Sequence, residues 1–205
     1  ETPAGRLLVF SYGPPDAGVP PEWRARDGEP GVNLLPGPGA EGARAVAEHV
    51  RAHRRPGDRT VVSIHWGGNW GYAVPPWQRE FAHRLVDAGA AEVVHGHSSH
   101  HPKGIEVYRG RPILYGAGDF LNDYEGIRGH EEFRGDLTLM YFPTLDASGA
   151  LASFEMAPMR VRRFRLQRAS REEAGWLRET LDRESRAFGA RVEPAENGRL
   201  ALRWG

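Results

Sequence analysis

The chain contains no cysteine among its 205 residues, which rules out disulfides and thiolate metal ligands. Any transition-metal site must therefore use nitrogen and oxygen donors. Also missing is the run of about 18 apolar residues that a transmembrane helix needs. The opening stretch ETPAGRLLVF has no basic segment ahead of an apolar one, so no signal peptide is visible either. The compartment stays open: a cytoplasmic setting is the simpler expectation, and an extracellular one requires an upstream signal that was removed. Excess charge of one sign is lacking too. The 27 basic residues balance 27 acidic ones, which leaves no net field to draw polyanions and argues against nucleic acid or anionic membrane as a partner. What is present, 40% hydrophobic residues and 26% charged, suits a chain that buries its own core as a single domain over 1–205.

Elements follow from periodicity. RLLVFSYG reads as a short buried strand, and the Pro/Gly-rich passage from Gly13 to Gly39 reads as loop. GPGAEG at 37–42 has the spacing of a dinucleotide loop, but Pro36 and Pro38 cannot donate the backbone N–H groups of a phosphate cradle. It is better read as a loop entering a helix over about 40–54. His49 and His53 on that helix have chelating spacing, yet position 50 is Val where a metalloprotease motif has Glu, so a solvated face is the simpler assignment.

The run Val61, Val62 and Ile64 predicts a strand ending at His65, and Trp77, Phe81 and Leu85 predict a helix over about 76–88. A second strand, Glu92 to His95, completes a βαβ unit with parallel strands. Two further strands flank a turn at Arg109-Gly110, and DLTLMYF pairs with LASFEMAPMRVRRFRL. Ser170 to Phe188 is a helix opened by a capping box of Ser170 and Glu173, and a hairpin over 191–204 closes the chain.

Four of the nine histidines, His95, His97, His100 and His101, fall within seven consecutive positions. Ligands of open α/β sheets gather beyond the carboxyl ends of the strands, where His65 and His97 both arrive. Adjacent strands lie about 4.8 Å apart, so their imidazoles can reach one ion. A lone histidine is ordinarily a hydrogen-bonded residue, but so crowded a set is costly to protonate and ready to coordinate. The expected ligands are His65, His97 and His100, with His95 and His101 behind them or facing substrate.

Taken in order, several motifs resemble the CapA-type capsule-biosynthesis proteins of the calcineurin-like metallophosphoesterase superfamily. They are His65-Trp66-Gly67, Pro75 through Gln78, Ala82, Leu85, Asp87-Ala88-Gly89, Gly96-His97 with His100, Gly104 through Tyr108, and Leu114 through Phe120. The resemblance covers about residues 60–125. It implies an α/β fold, a two-sheet sandwich flanked by helices (αββα), of which this chain is the C-terminal half. It also implies one or two divalent ions (manganese, iron or zinc) that hydrolyse phosphoesters. On that pattern His65 matches a lone late histidine, and His97 and His100 match the glycine-histidine pair.

The chain departs from the pattern in three places. It spells GHSSH where relatives have GHHPH, Asp119 stands where they carry Asn, and the early Asp, second acid and Asn-His pair are missing. Two ions need a bridging carboxylate, so a preceding segment, a second chain, or Asp119 with Asp123 is expected to complete the site. His95, His101 and Asp119 are then the catalytic candidates, the first two as proton donors to the leaving group. Lys103, Arg109 and Arg111 near the mouth are weighed as contacts for an anionic small-molecule or polymer substrate against plain solvation. Asn69 and Trp70 in a glycine-framed loop are further substrate candidates, whereas Trp77 reads as core. A polymer-handling factor that binds poly-γ-glutamate without turnover, and an inactive metal-binding remnant, are the competing readings.

Overall fold

A computed structural model describes residues 5–37 and 39–205, so the glycine motif at 37–42, which runs through Pro38, lies partly outside the described residues. Its first sheet is built from β1 (Leu7–Tyr12), β2 (Arg59–His65), β3 (Val93–His97), β4 (Ile105–Tyr108) and β5 (Arg111–Leu114), in the order β1-β2-β3-β5-β4. All its pairs are parallel except β4 with β5, whose two-residue turn puts Arg109 and Gly110 at positive φ. The second sheet is antiparallel. It contains β6 (Leu137–Leu145), β7 (Leu151–Arg162), β9 (Ala190–Pro194) and β10 (Leu200–Trp204) in the order β6-β7-β10-β9, with β8 (Arg165–Arg168) hairpinned onto β7.

Helices α1 (Ala40–His53) and α2 (Pro76–Asp87) cover the outer face of the first sheet. Val46, Val50, Phe81 and Leu85 meet Val62, Ile64 and Val94 there in one apolar cluster. A second cluster lies between the sheets, where Val93, Ile105 and Leu114 meet Leu139, Phe154 and Met156. Helix α3 (Arg171–Ser185) drives Leu177 and Leu181 into this same cluster from beside β4 and β9. The predicted capping box is formed, with Glu173 N–H donating to Ser170 Oγ and Ser170 N–H donating to the Glu173 carboxylate. The described residues thus form an α/β sandwich of two sheets with three α-helices.

Three elements differ from expectation. β1 is an edge strand with Leu7 and Val9 53% and 60% exposed, because only β2 flanks it among the described residues. β3 runs on through Gly96 to His97 instead of stopping at His95, since Gly96 remains in register with Ile64. The long run LASFEMAPMRVRRFRL is two strands, β7 and β8, folded at Arg163-Phe164. No helix among the described residues is long and apolar enough to cross a membrane.

Candidate functional site

Strand alternation sets the site. The β2–β3 register aligns Val61 with Val93, Ser63 with His95, and His65 with His97, so these six side chains share one face of the sheet. Val93 packs between the sheets, so the histidines project toward the second sheet as well as lying at the strand ends. A cavity of about 430 Å³ opens there, lined by His95 and His97 together with Val61, Leu114, Leu139 and Phe154.

Within this row His65 Nδ1 and His97 Nδ1 stand 3.3 Å apart, with ring centroids separated by 5.2 Å. His95 Nδ1 is 3.1 Å from Ser63 Oγ, and its ring lies 5.6 Å from that of His97. Burial, reinforced by His95 and His65, pulls the pKa of His97 down to about 4. Burial also lowers His95 and His65, although for His65 the Ala17 carbonyl opposes the shift and His100 adds to it. These imidazoles are therefore neutral at pH 7 and keep a lone pair for coordination.

The loops after β2 and β3 are stapled to each other. Trp66 N–H donates to the His97 carbonyl at 2.9 Å, His100 N–H to the Asn69 carbonyl at 3.0 Å, and Ser98 Oγ to the Gly67 carbonyl at 3.1 Å. Ser98 pays for its place with φ 117, a conformation that L residues rarely hold and that recurs at functional sites. Beneath them the Trp66 indole crosses under Gly96 to donate to the Tyr115 carbonyl.

His100 sits on the far side of this staple. Its Nδ1 is 2.9 Å from Asp119 Oδ2, and Tyr124 Oη lies 3.0 Å from both atoms. A neutral imidazole beside a carboxylate donates Nδ1–H to it, which leaves Nε2 as the lone-pair nitrogen. Trp70 walls this region, 5.1 Å from His100 and stacked on His130 at 4.2 Å, and a pocket of about 360 Å³ opens between them.

The remaining candidates are placed differently from one another. Asn69 is exposed and accepts from Ser98 at 3.3 Å through Oδ1. His101 is completely buried, with Phe133, Trp70 and Tyr72 packed about its ring, and burial takes its pKa to about 4. Lys103 is buried rather than at a mouth, with Nζ donating to the Ala73 carbonyl at 3.1 Å. Arg109 lies at the opposite end of the sheet in the β4–β5 turn, ion-paired with Asp87 at 2.9 Å, because β5 starts where β3 starts and ends where the histidines are. His49, the α1 histidine, meets Tyr12 Oη at 2.7 Å through Nδ1.

Sequence reasoning passed over Ser63, Tyr124, His130 and Arg162. Ser63 was recoverable by alternation, two residues before His65; the others reach the site through tertiary contacts alone.

Two imidazole nitrogens on one tetrahedral ion at about 2.1 Å stand about 3.4 Å apart, and His65 and His97 match that separation. Among the described residues no group of three or more His, Asp or Glu side chains is arranged to hold a metal. His100 directs its Nδ1 to Asp119 and Tyr124 instead.

Fold and site together define a two-sheet α/β protein with a row of neutral histidines between its sheets. The chain belongs to the bacterial capsule synthesis protein family PGA_cap, whose model matches residues 1–124. A "probable polyglutamine synthesis accessory protein" of Mycobacterium tuberculosis is 55% identical over 189 residues, covering 91% of this chain and 50% of that protein. The "PGA biosynthesis protein CapA" of Bacillus subtilis is 32% identical over 102 residues, 50% of this chain and 25% of its own length. The "capsule biosynthesis protein CapA" of Bacillus anthracis is 36% identical over 66 residues, 32% of this chain and 16% of its own. The chain spans about half the length of the mycobacterial relative.

Proposed function

We propose that this chain carries part of the centre of a divalent-metal-dependent hydrolase, a phosphoesterase, that serves capsule polymer synthesis. The observation that supports the reading is the 3.3 Å approach of two neutral imidazole nitrogens, His65 Nδ1 and His97 Nδ1, on adjacent parallel strands. These two residues would hold the ion. An ion bound there supplies Lewis acidity toward a phosphoryl oxygen and acidifies a water molecule.

The chain's own residues do the rest. Asp119 accepts from His100 and from Tyr124, which fixes the imidazole's orientation and tautomer. Ser63 holds His95 beside His97, leaving His95 as the buried proton-transfer group nearest the pair. The apolar walls of the cavity, Val61, Leu114 and Phe154, exclude water and strengthen every polar contact within it. Asp119 supplies a carboxylate at this rim.

The test is calorimetric titration of the purified chain with Mn²⁺ or Zn²⁺, followed by assay on a generic aryl phosphate with and without the flanking part of the full-length protein. Wild type is expected to bind, and His65→Ala and His97→Ala to bind at least tenfold more weakly. Binding that ignores both substitutions, or metal-loaded full-length protein that releases no phosphate, overturns the proposal. Retention of poly-γ-glutamate without turnover would then favour the second reading, an accessory role in polymer handling.

A further inference from the structure

The most concentrated positive charge on this electrically balanced chain lies on the second sheet. The β7–β8 hairpin carries Arg160, Arg162, Arg163, Arg165 and Arg168 within nine residues, with no acidic residue among them. Arg162 and Arg165 are directly opposed across the hairpin, a like-charge pair that destabilises an isolated ribbon. The turn between them holds Arg163 and Phe164 at φ 54 and 55, the left-handed region that L side chains disfavour. Glu125 fixes that turn by accepting from both backbone N–H groups, at 2.7 and 3.2 Å.

Apart from Arg160, this charge has no compensating acid among the described residues. The side chains of Arg162, Arg163, Arg165 and Arg168 are exposed and have no ion-pair partner among the described residues. The acids nearby are engaged elsewhere: Asp136 by Arg134 and Arg160, Glu173 by Arg160, Glu125 by the turn and Glu131 by the Gly129 N–H. Alternation puts Arg160, Arg162, Arg165 and Gln167 on one face of the hairpin. Arg160 and Arg162 also border the 360 Å³ pocket at His100, but Asp119, Glu125, Glu131 and Asp136 line that pocket too, so the open cationic surface is the hairpin itself.

We infer that this hairpin is a binding track for an extended polyanion bearing repeated carboxylate or phosphate groups, with Arg162 and Arg165 as its central clamp. A four-residue strand spans about 13 Å, too long for a single oxyanion and suited to a repeating one. Guanidinium groups grip oxyanions through paired N–H donors, so the occupant relieves the repulsion that the folded hairpin otherwise bears. The track needs neither a metal nor turnover, and so goes beyond the hydrolase reading.

The experiment measures fluorescence anisotropy of labelled poly-γ-glutamate against the chain at low and physiological salt, with polyphosphate, single-stranded DNA and neutral dextran as competitors. Wild type binds with a strong salt dependence, Arg162→Gln/Arg165→Gln loses at least tenfold in affinity, and His97→Ala binds like wild type. The last arm separates the track from the metal site. Competition by polyphosphate equal to that by polyglutamate assigns the track to oxyanions in general; weaker competition assigns it to carboxylates. The double variant melts no lower than wild type, since it removes a repulsive pair, so lost binding cannot be lost folding. Unchanged binding by the double variant, preference for DNA, or indifference to polyanions with partition onto vesicles of anionic lipid through exposed Phe164 would each overturn the inference.

Discussion

At Gly96 a methyl group would stand 2.2 Å from Trp66 Nε1 and 2.6 Å from the Leu114 carbonyl oxygen. Neither neighbour can retreat: the indole is buried and bonded to the Tyr115 carbonyl, and Leu114 is paired in the sheet. Gly96→Ala should therefore destabilise the fold by about 3 kcal/mol, at the upper end of overpacking costs, measured by urea unfolding. It should also displace His97, the next residue, and so weaken metal binding in the titration above. The gathering of His65 with His97 was legible from residue types and strand ends. Their common orientation into the space between the sheets was not, because it depends on β3 continuing through a glycine that reads locally as a stop. Lys103 and Arg109 mislead for the opposite reason. Charge and proximity in sequence place both at the mouth, but the backbone carbonyl of Ala73 claims one and the far end of a parallel sheet claims the other.

Elements were read most reliably where a covalent-scale signal marked them. The capping box predicted the start of α3 because it satisfies unpaired N–H groups of the first turn, and Pro75 and Pro76 predicted that of α2 because proline has no N–H to satisfy and a helical φ already set. The β7–β8 hairpin escaped because its turn uses Arg and Phe where glycine or asparagine would announce it. β4 shows a further dependence invisible in sequence. Its buried Glu106 accepts from Arg79 of α2 at 2.8 Å and from Tyr115 Oη at 2.5 Å, joining helix, edge strand and loop. Burial alone would raise the Glu106 pKa, but those hydrogen bonds outweigh it and hold it below the usual carboxylate range. Glu106→Gln removes the charge that Arg79 faces and weakens the Tyr115 hydrogen bond; because the Arg79 side chain is 47% exposed and stays solvated, the cost in chemical unfolding should be about 1–2 kcal/mol. Changing Arg79 and Glu106 together should cost less than the sum of the single changes, which a double-mutant cycle reads directly.

Across the whole molecule the two apolar clusters are joined through β3, which gives Val94 to one and Val93 to the other while its histidines stay uncharged among them. Such an interior is sensitive to acid. His101, with none of its surface exposed, titrates near 4 in the folded state against an ordinary 6.5, so as pH falls the unfolded chain takes up the proton first. Its contribution is complete above about pH 6.5 and is lost progressively down to about pH 4, a difference on the order of 3 kcal/mol. His97, His95 and His65 shift in the same direction and steepen the loss. Glu106, held below its usual range, adds its own loss at lower pH as it protonates. Thermal midpoints of the metal-free chain should accordingly be level above pH 7 and drop across pH 6.5 to 4. His101→Phe replaces the titrating ring by one suited to its aromatic neighbours Phe133, Trp70 and Tyr72. It gives up the contact with the Pro102 carbonyl at 3.1 Å, about 1 kcal/mol at neutral pH, but should flatten the acid limb visibly. A midpoint-against-pH curve that the substitution leaves unchanged would mean that His101 is protonated within the fold and that its box is open to water.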